Sequence, residues 1–221
     1  MKVLLFGASG MVGQGVLREC LAAADVQRVV AVGRSPIAVS DPKLGEVIVK
    51  DFYDYAAVEP QLAGFDACFF CLGVSSVGMS EADYRHVTYD LTLAAATVLA
   101  RLNPQMTFVY VSGAGTDSTG RGTRMWARVK GETENALLGL PFKAAYMFRP
   151  GGIQPLHGVR SKTALYQGIY VVAAPLLGLL ARTAPTWMTT TEKVGRAMLA
   201  LARHGAPTPL IESVDINRLG S

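Results

Sequence analysis

Three glycines near the start of the chain, in Val3-Leu4-Leu5-Phe6-Gly7-Ala8-Ser9-Gly10-Met11-Val12-Gly13, are spaced to hold a pyrophosphate. An apolar run precedes them and a helical pattern follows. In that setting Gly7 permits a tight turn, Gly10 lets the backbone approach a phosphate, and Gly13 lets the new helix lie close to the strand it left. The first helical turn, with Ser9, Met11 and Val12 around it, presents backbone N–H groups that have no partner inside the helix, and its dipole favours an anion. The chemistry indicated is binding of a dinucleotide through its phosphates.

Which dinucleotide depends on the end of the second strand. When NAD is bound, an acid about 20 residues past the glycines takes the ribose hydroxyls. Here Gly33-Arg34-Ser35 stands in that place, with Asp25 ahead of the strand and Asp41 well beyond it. A guanidinium fork and a hydroxyl suit a 2′-phosphate, so NADP is expected ahead of NAD; the alternative is that Arg34 is an ordinary exposed loop residue. Asp51 and Phe52 close the third strand, and Leu72 and Gly73 the fourth, at the edge where adenine and its ribose would lie. Asp51 reads equally as a partner of the adenine amino group or as a solvated strand end.

The elements that must position these residues alternate in type. After the first strand come a helix over Met11 to Ala23, a strand over Arg28 to Gly33 and a strand over Glu46 to Phe52. A short helix over Tyr53 to Leu62, a strand over Asp66 to Gly73 and a long helix over Ser80 to Leu102 follow. The series ends with a strand over Met106 to Gly113, a helix over Arg124 to Leu138 and a strand over Lys143 to Arg149. Continuous apolar strands alternating with helices predict a parallel sheet covered on both faces, an α/β doubly wound, Rossmann-like fold with ligands at the carboxyl ends of the strands. Residues 1–150 form this core; past Pro150 glycines and prolines shorten the elements, and residues 151–221 read as a small substrate-side lobe packed on it, one structural domain overall.

Bulk properties narrow the class. A chain of 221 residues, 50% hydrophobic, can bury a full core. Its net charge of +4 comes from scattered basic residues, which argues for a small-molecule ligand and against nucleic acid. Met1-Lys2 leads directly into the first strand, so a cytosolic location is expected. Cys68 and Cys71 lie in an apolar strand at odd spacing, on opposite faces, and read with Cys20 as buried thiols rather than as a redox pair; His86, His157 and His204 share no ligand spacing, so no metal is expected. The uncharged stretch Leu165 to Ala181 is short for a bilayer span and is broken by Gly168, Pro175 and Gly178. It reads as a helix pair lining a cleft or a homodimer interface, with peripheral membrane contact as an alternative.

These residues together resemble a family, the atypical short-chain dehydrogenase/reductases, and within it the Tat-interactive-protein oxidoreductase group. The resemblance rests on GASGMVGQGVL at the start, CLG after the fourth strand, VKGETE in the helix after the fifth, FRPG after the sixth, and GRAML followed by IES-x-DINRLG. It implies a Rossmann-like fold and NADP as cofactor. It further implies a catalytic serine after the fifth strand and a Tyr-x-x-x-Lys pair on the next helix, where the phenol gives a proton, the lysine lowers the phenol pKa and holds the ribose, and the serine steadies the substrate oxygen. Ser112 and Lys130 match the serine and the lysine. Trp126 stands where the tyrosine belongs.

An indole N–H donates a hydrogen bond but has no accessible pKa, so Trp126 cannot do the work of a phenol. It either stacks on a planar ligand such as the nicotinamide or fills core space. Tyr84, Tyr89, Tyr110, Tyr146, Tyr166 and Tyr170 are present elsewhere, and none is assigned its role. Three functions follow. The first is an NADP-dependent oxidoreductase using Ser112, Lys130 and another proton source, acting on a substrate the sequence does not name. The second is an NADP-binding sensor without turnover. The third, a nucleotide-sugar epimerase, is weakened by the short region after Pro150.

Overall fold

The computed structural model describes residues 1–158 and 187–221. Its centre is a seven-stranded parallel sheet: β1 (Lys2–Phe6), β2 (Arg28–Gly33), β3 (Leu44–Ile48), β4 (Ala67–Phe70), β5 (Thr107–Val111), β6 (Ala144–Arg149) and β9 (Leu210–Glu212), in spatial order β3-β2-β1-β4-β5-β6-β9. The order reverses between β1 and β4, and a crevice opens there at the carboxyl ends. The predicted α/β, Rossmann-like doubly wound sheet is the fold observed. Two short strands, β7 (Gly152–Gln154) and β8 (Met188–Thr190), pair with each other beyond the sheet.

Strand alternation sends side chains to two cores. Val3, Leu5, Phe69 and Val109 face one side, where α1 (Met11–Ala22) and α5 (Thr191–His204) cover them with Val16, Leu17, Val194 and Met198. Leu4, Phe6, Phe70 and Phe108 face the other, against α3 (Leu91–Leu102) and α4 (Met125–Leu138). The two strand-end cysteines divide in the same way: Cys68 is buried in the second core and Cys71 packs on the first.

Several elements differ from expectation, among them the fourth strand, which stops at Phe70 and leaves Leu72 and Gly73 beyond its end. The third strand begins at Leu44 and stops at Ile48, because its partner β2 runs out at Gly33, which lies opposite Ile48. Residues 53–62 hold a single 3₁₀ turn, Glu59–Gln61, in place of a helix. Asp51 and Asp54 take the backbone N–H groups of Tyr53 and Ala56 with their side chains, at 2.9 Å each, and this local bonding competes with a helix. The long helix begins as α2 (Glu81–Arg85), capped by Ser80, passes through a π turn at His86–Asp90 and continues as α3. Last, the sheet has a seventh strand, since β9 returns beside β6 and leads into α6 (Ser213–Leu219). The chain after residue 150 thus supplies a sheet edge and, in α5, a covering helix for the core. The apolar stretch Leu165 to Ala181, with Tyr166 and Tyr170, lies outside the described residues, and no helix among the described residues is long and apolar enough to cross a membrane.

Candidate functional site

The turn from β1 into α1 is shaped by what its glycines lack. Gly7 has φ +79°, and a Cβ on it would stand 2.8 Å from the backbone carbonyl of Cys71, so the turn lies directly on the end of β4. A Cβ on Gly13 would overlap the carbonyl of Gly7, so α1 starts against its own turn. Gly10 closes the turn by donating its N–H to Gly7 O at 2.9 Å. Met11 and Val12 form the first turn of α1, which has no side-chain cap and no acidic residue. Its amides and dipole are therefore directed at an outside anion.

Beside that turn lies a cavity of about 110 Å³. Gly7, Ser9, Arg34, Ser35, Phe52 and Leu72 all line it, brought together by the ends of β1, β2 and β4 and the loop after β3. Sequence reasoning missed Ile37 and Glu46 on its wall. Glu46 sits opposite Ala31 in the β2–β3 register, and one of its carboxylate oxygens accepts the Ile37 N–H at 3.3 Å. Arg34 is exposed and makes no hydrogen bond or ion pair among the described residues. Gly10, Met11, Val12 and Gly13 belong to the adjoining turn and helix start and do not line this cavity, Lys130 lines a different one, and Asp51 and Gly73 also stand apart. Asp51 is exposed, with a carboxylate oxygen held by the Tyr53 N–H, and Gly73 borders a different, smaller cavity described below. A larger groove of about 570 Å³ continues past Ser9 and Ser35 along α1. The β2–β3 connection, which carries no helix, forms one of its walls through Ser35, Ile37 and Val39.

The other half of the crevice is built by β5 and α4. Ser112 is buried just past β5; its N–H donates to Phe148 O at 2.7 Å and its hydroxyl lies 3.0 Å from the Thr116 hydroxyl. Because Thr116 donates to Gly113 O at 2.7 Å, Ser112 is the donor between the two hydroxyls. Lys130 reaches back from α4 to Val111 O at 3.4 Å, with Nζ 5.3 Å from the centre of the Tyr110 ring. Burial lowers the pKa of its ammonium from 10.5 to about 8, against a smaller opposing pull from Glu134. Trp126 is half-buried, its indole Cη2 3.7 Å from the Cβ position of Gly115 in the turn that follows Ser112. A cavity of about 10 Å³ separates Lys130 from Gly73, Tyr84, Thr88 and Tyr110.

Among the described residues, the other candidate tyrosines are engaged elsewhere or buried. Tyr110 is fully buried in the core and its phenol pKa is raised by burial; Tyr146 accepts the Ala206 N–H at 2.9 Å; Tyr89 lies under the Arg85 guanidinium at 4.1 Å. Tyr84, also buried with a raised pKa, lines the small cavity beside Lys130 together with Tyr110.

One group of residues was quoted in the motifs without being given a role. Arg149, of FRPG, puts Nε 3.0 Å from Glu134 Oε1 and binds the other oxygen through Nη2. Glu134, of VKGETE, is completely buried. The same guanidinium donates to Ser118 Oγ at 2.5 Å and reaches Glu212, of the IES run, at 3.5 Å. Three of the motifs thus meet at one arginine, which ties α4, β6, β9 and the loop after β5 into one frame. Arg149, the single charged residue of FRPG in an otherwise apolar strand end, was the available signal.

A family profile described as NAD(P)H-binding matches residues 7–137, the stretch holding the glycine turn, the cavity and the β5–α4 half. The chain is 28% identical over 225 residues to "Protein FMP52, mitochondrial" of Eremothecium gossypii, covering 98% of this chain and 96% of that one. It is 29% identical over 152 residues to "Protein HTATIP2" of Rattus norvegicus, covering 68% of this chain and 62% of the rat protein. A second mitochondrial FMP52 protein, from Scheffersomyces stipitis, is matched over 66% of its length at 25% identity. Among solved structures, the Bordetella bronchiseptica enzyme WbmF in complex with NAD+ superimposes with a TM-score of 0.67 at 14% identity, over 98% of this chain and 76% of that one. A short-chain dehydrogenase/reductase family oxidoreductase from Burkholderia thailandensis gives 0.65 at 17% identity, over 97% and 92%. These two share the fold. The cytosolic expectation is contradicted by the relatives: the FMP52 proteins are named mitochondrial. The resemblance drawn from the motifs holds in the relatives, and the match over residues 7–137 settles the family: the chain belongs to the NAD(P)H-binding family.

Proposed function

We propose that this protein is an NADP(H)-binding member of the atypical short-chain dehydrogenase/reductases, acting as an oxidoreductase on a small carbonyl compound. The observation that carries the reading is the cavity at the β1–α1 turn, where Gly7, Ser9, Arg34 and Ser35 meet at the start of a helix whose first turn holds no acidic residue. The amides of Met11, Val12 and Gly13 would take the pyrophosphate. Phe52 and Leu72 would flank the adenine. Arg34 and Ser35 would take a 2′-phosphate, and the exposed, unpaired guanidinium supports NADP over NAD. Bound there, NADPH would supply a hydride equivalent. Ser112 would hold a substrate oxygen by turning its hydroxyl proton from Thr116 to the ligand, and Lys130 would hold ribose hydroxyls and the charge of the site.

Trp126 favours a second reading, binding of NADP(H) without turnover, because the position four residues before Lys130 has no ionisable group. The two are separated by NADPH oxidation over a panel of aldehydes and ketones, with the native protein and with Trp126→Tyr. Native turnover supports the oxidoreductase. Turnover in Trp126→Tyr alone, a gain of the order of 10² or more if a phenol restores proton transfer, supports the sensor.

A further inference from the structure

Among the described residues Lys130 has no carboxylate partner, although one stands a single helical turn away. Glu134 is the i+4 neighbour of Lys130 on α4, a spacing at which opposite charges ordinarily pair. Both oxygens of Glu134 are instead engaged by Arg149 from β6. Among the described residues the only hydrogen bond of Lys130 is the long one to Val111 O. The other titratable groups facing it are the phenols of Tyr110 on β5 and Tyr84 on α2, both buried.

We propose that Arg149 is a positioning residue for Lys130: by occupying both oxygens of Glu134 it prevents a lysine–glutamate pair, so that Lys130 faces the site as a proton donor in place of the missing phenol. The inference rests on the function proposed above. In the step, an N–H bond of Lys130 breaks and an O–H bond forms on a bound carbonyl oxygen, which gains the electron pair of its π bond. A reduced nicotinamide, the co-reactant, provides the hydride that reaches carbon. The neutral amine of Lys130 then regains a proton from solvent. A pKa near 8 suits such a donor, and burial without a counter-ion produces it.

The test is the pH dependence of acetic anhydride labelling of Lys130, read by peptide mass spectrometry on the full chain. The native midpoint is expected near 8. Arg149→Met frees Glu134 and should raise the midpoint by ~1 unit or more, a roughly tenfold slower labelling at neutral pH. The double variant Glu134→Gln with Arg149→Met, which buries no unpaired charge, should return to the native midpoint. If Arg149→Met does not fold, Arg149→Lys, which cannot span both oxygens, should show a smaller rise. An unmoved midpoint in the folded Arg149 variant, or a double variant that stays shifted, overturns the proposal. The labelling needs neither nucleotide nor substrate. A failure of NADPH to bind therefore counts against the proposed function, and an unmoved midpoint counts against this inference.

Discussion

On the β1–α1 side of the crevice, backbone makes the site: two glycines bring a turn, a strand end and a helix N-terminus together, and side chains such as Arg34 only trim it. On the β5–α4 side, side chains make it, and they depend on one another. Ser112 is oriented by Thr116, Lys130 is left without a partner because Arg149 holds Glu134, and Trp126 packs by the turn after Ser112. The difference teaches that binding and chemistry are separable here. Backbone geometry tolerates no substitution at its contact points, whereas the side-chain constellation keeps its frame with Trp126 four residues before Lys130.

The sharpest way to break this contrast is Glu134→Ala. It would leave the Arg149 guanidinium buried without its carboxylate, and the loss of stability in denaturant unfolding should be about 3–5 kcal/mol. A loss under ~1 kcal/mol would mean that the buried pair does not hold the β5–α4 half together. Next in size is Gly13→Val, whose Cβ would overlap Gly7 O. Overpacking there should cost about 1–3 kcal/mol, and NADPH affinity should fall at least about tenfold by calorimetry. Unchanged affinity would show that the turn is not the phosphate site.

A smaller effect follows from Lys130. Its folded pKa is lowered from 10.5 to about 8 by burial, so between those values the unfolded chain binds more protons than the native one. The native protein should therefore gain stability relative to Lys130→Met as pH rises from about 8 to about 10.5, and the difference should be flat below 8. A difference that shrinks over that window would contradict the burial of the ammonium.

What the sequence made legible follows the same division. The glycine turn, the parallel sheet and the strand-end residues Arg34, Ser35, Phe52 and Leu72 were readable because local spacing and apolar runs determine them. Residues 53–62 were misread because Asp51 and Asp54 bond their own backbone, which a helical pattern does not reveal. The π turn at His86–Asp90 was hidden within a continuous helical pattern. The Glu134–Arg149–Glu212 group escaped assignment because its members lie 15 and 63 residues apart, and only the sheet order brings β6 and β9 side by side. β9 itself is three residues long, too short to stand out among the glycines and prolines after Pro150.

The central claim is that the β1–α1 cavity holds NADP(H), and differential thermal unfolding with NADPH and with NADH tests it most directly. At about 100 times its dissociation constant NADPH should add roughly 2.7 kcal/mol of stability. NADH at the same concentration should add less, and Arg34→Ala should bring the two together. No stabilisation by either dinucleotide, or a preference for NADPH that survives Arg34→Ala unchanged, would contradict the account.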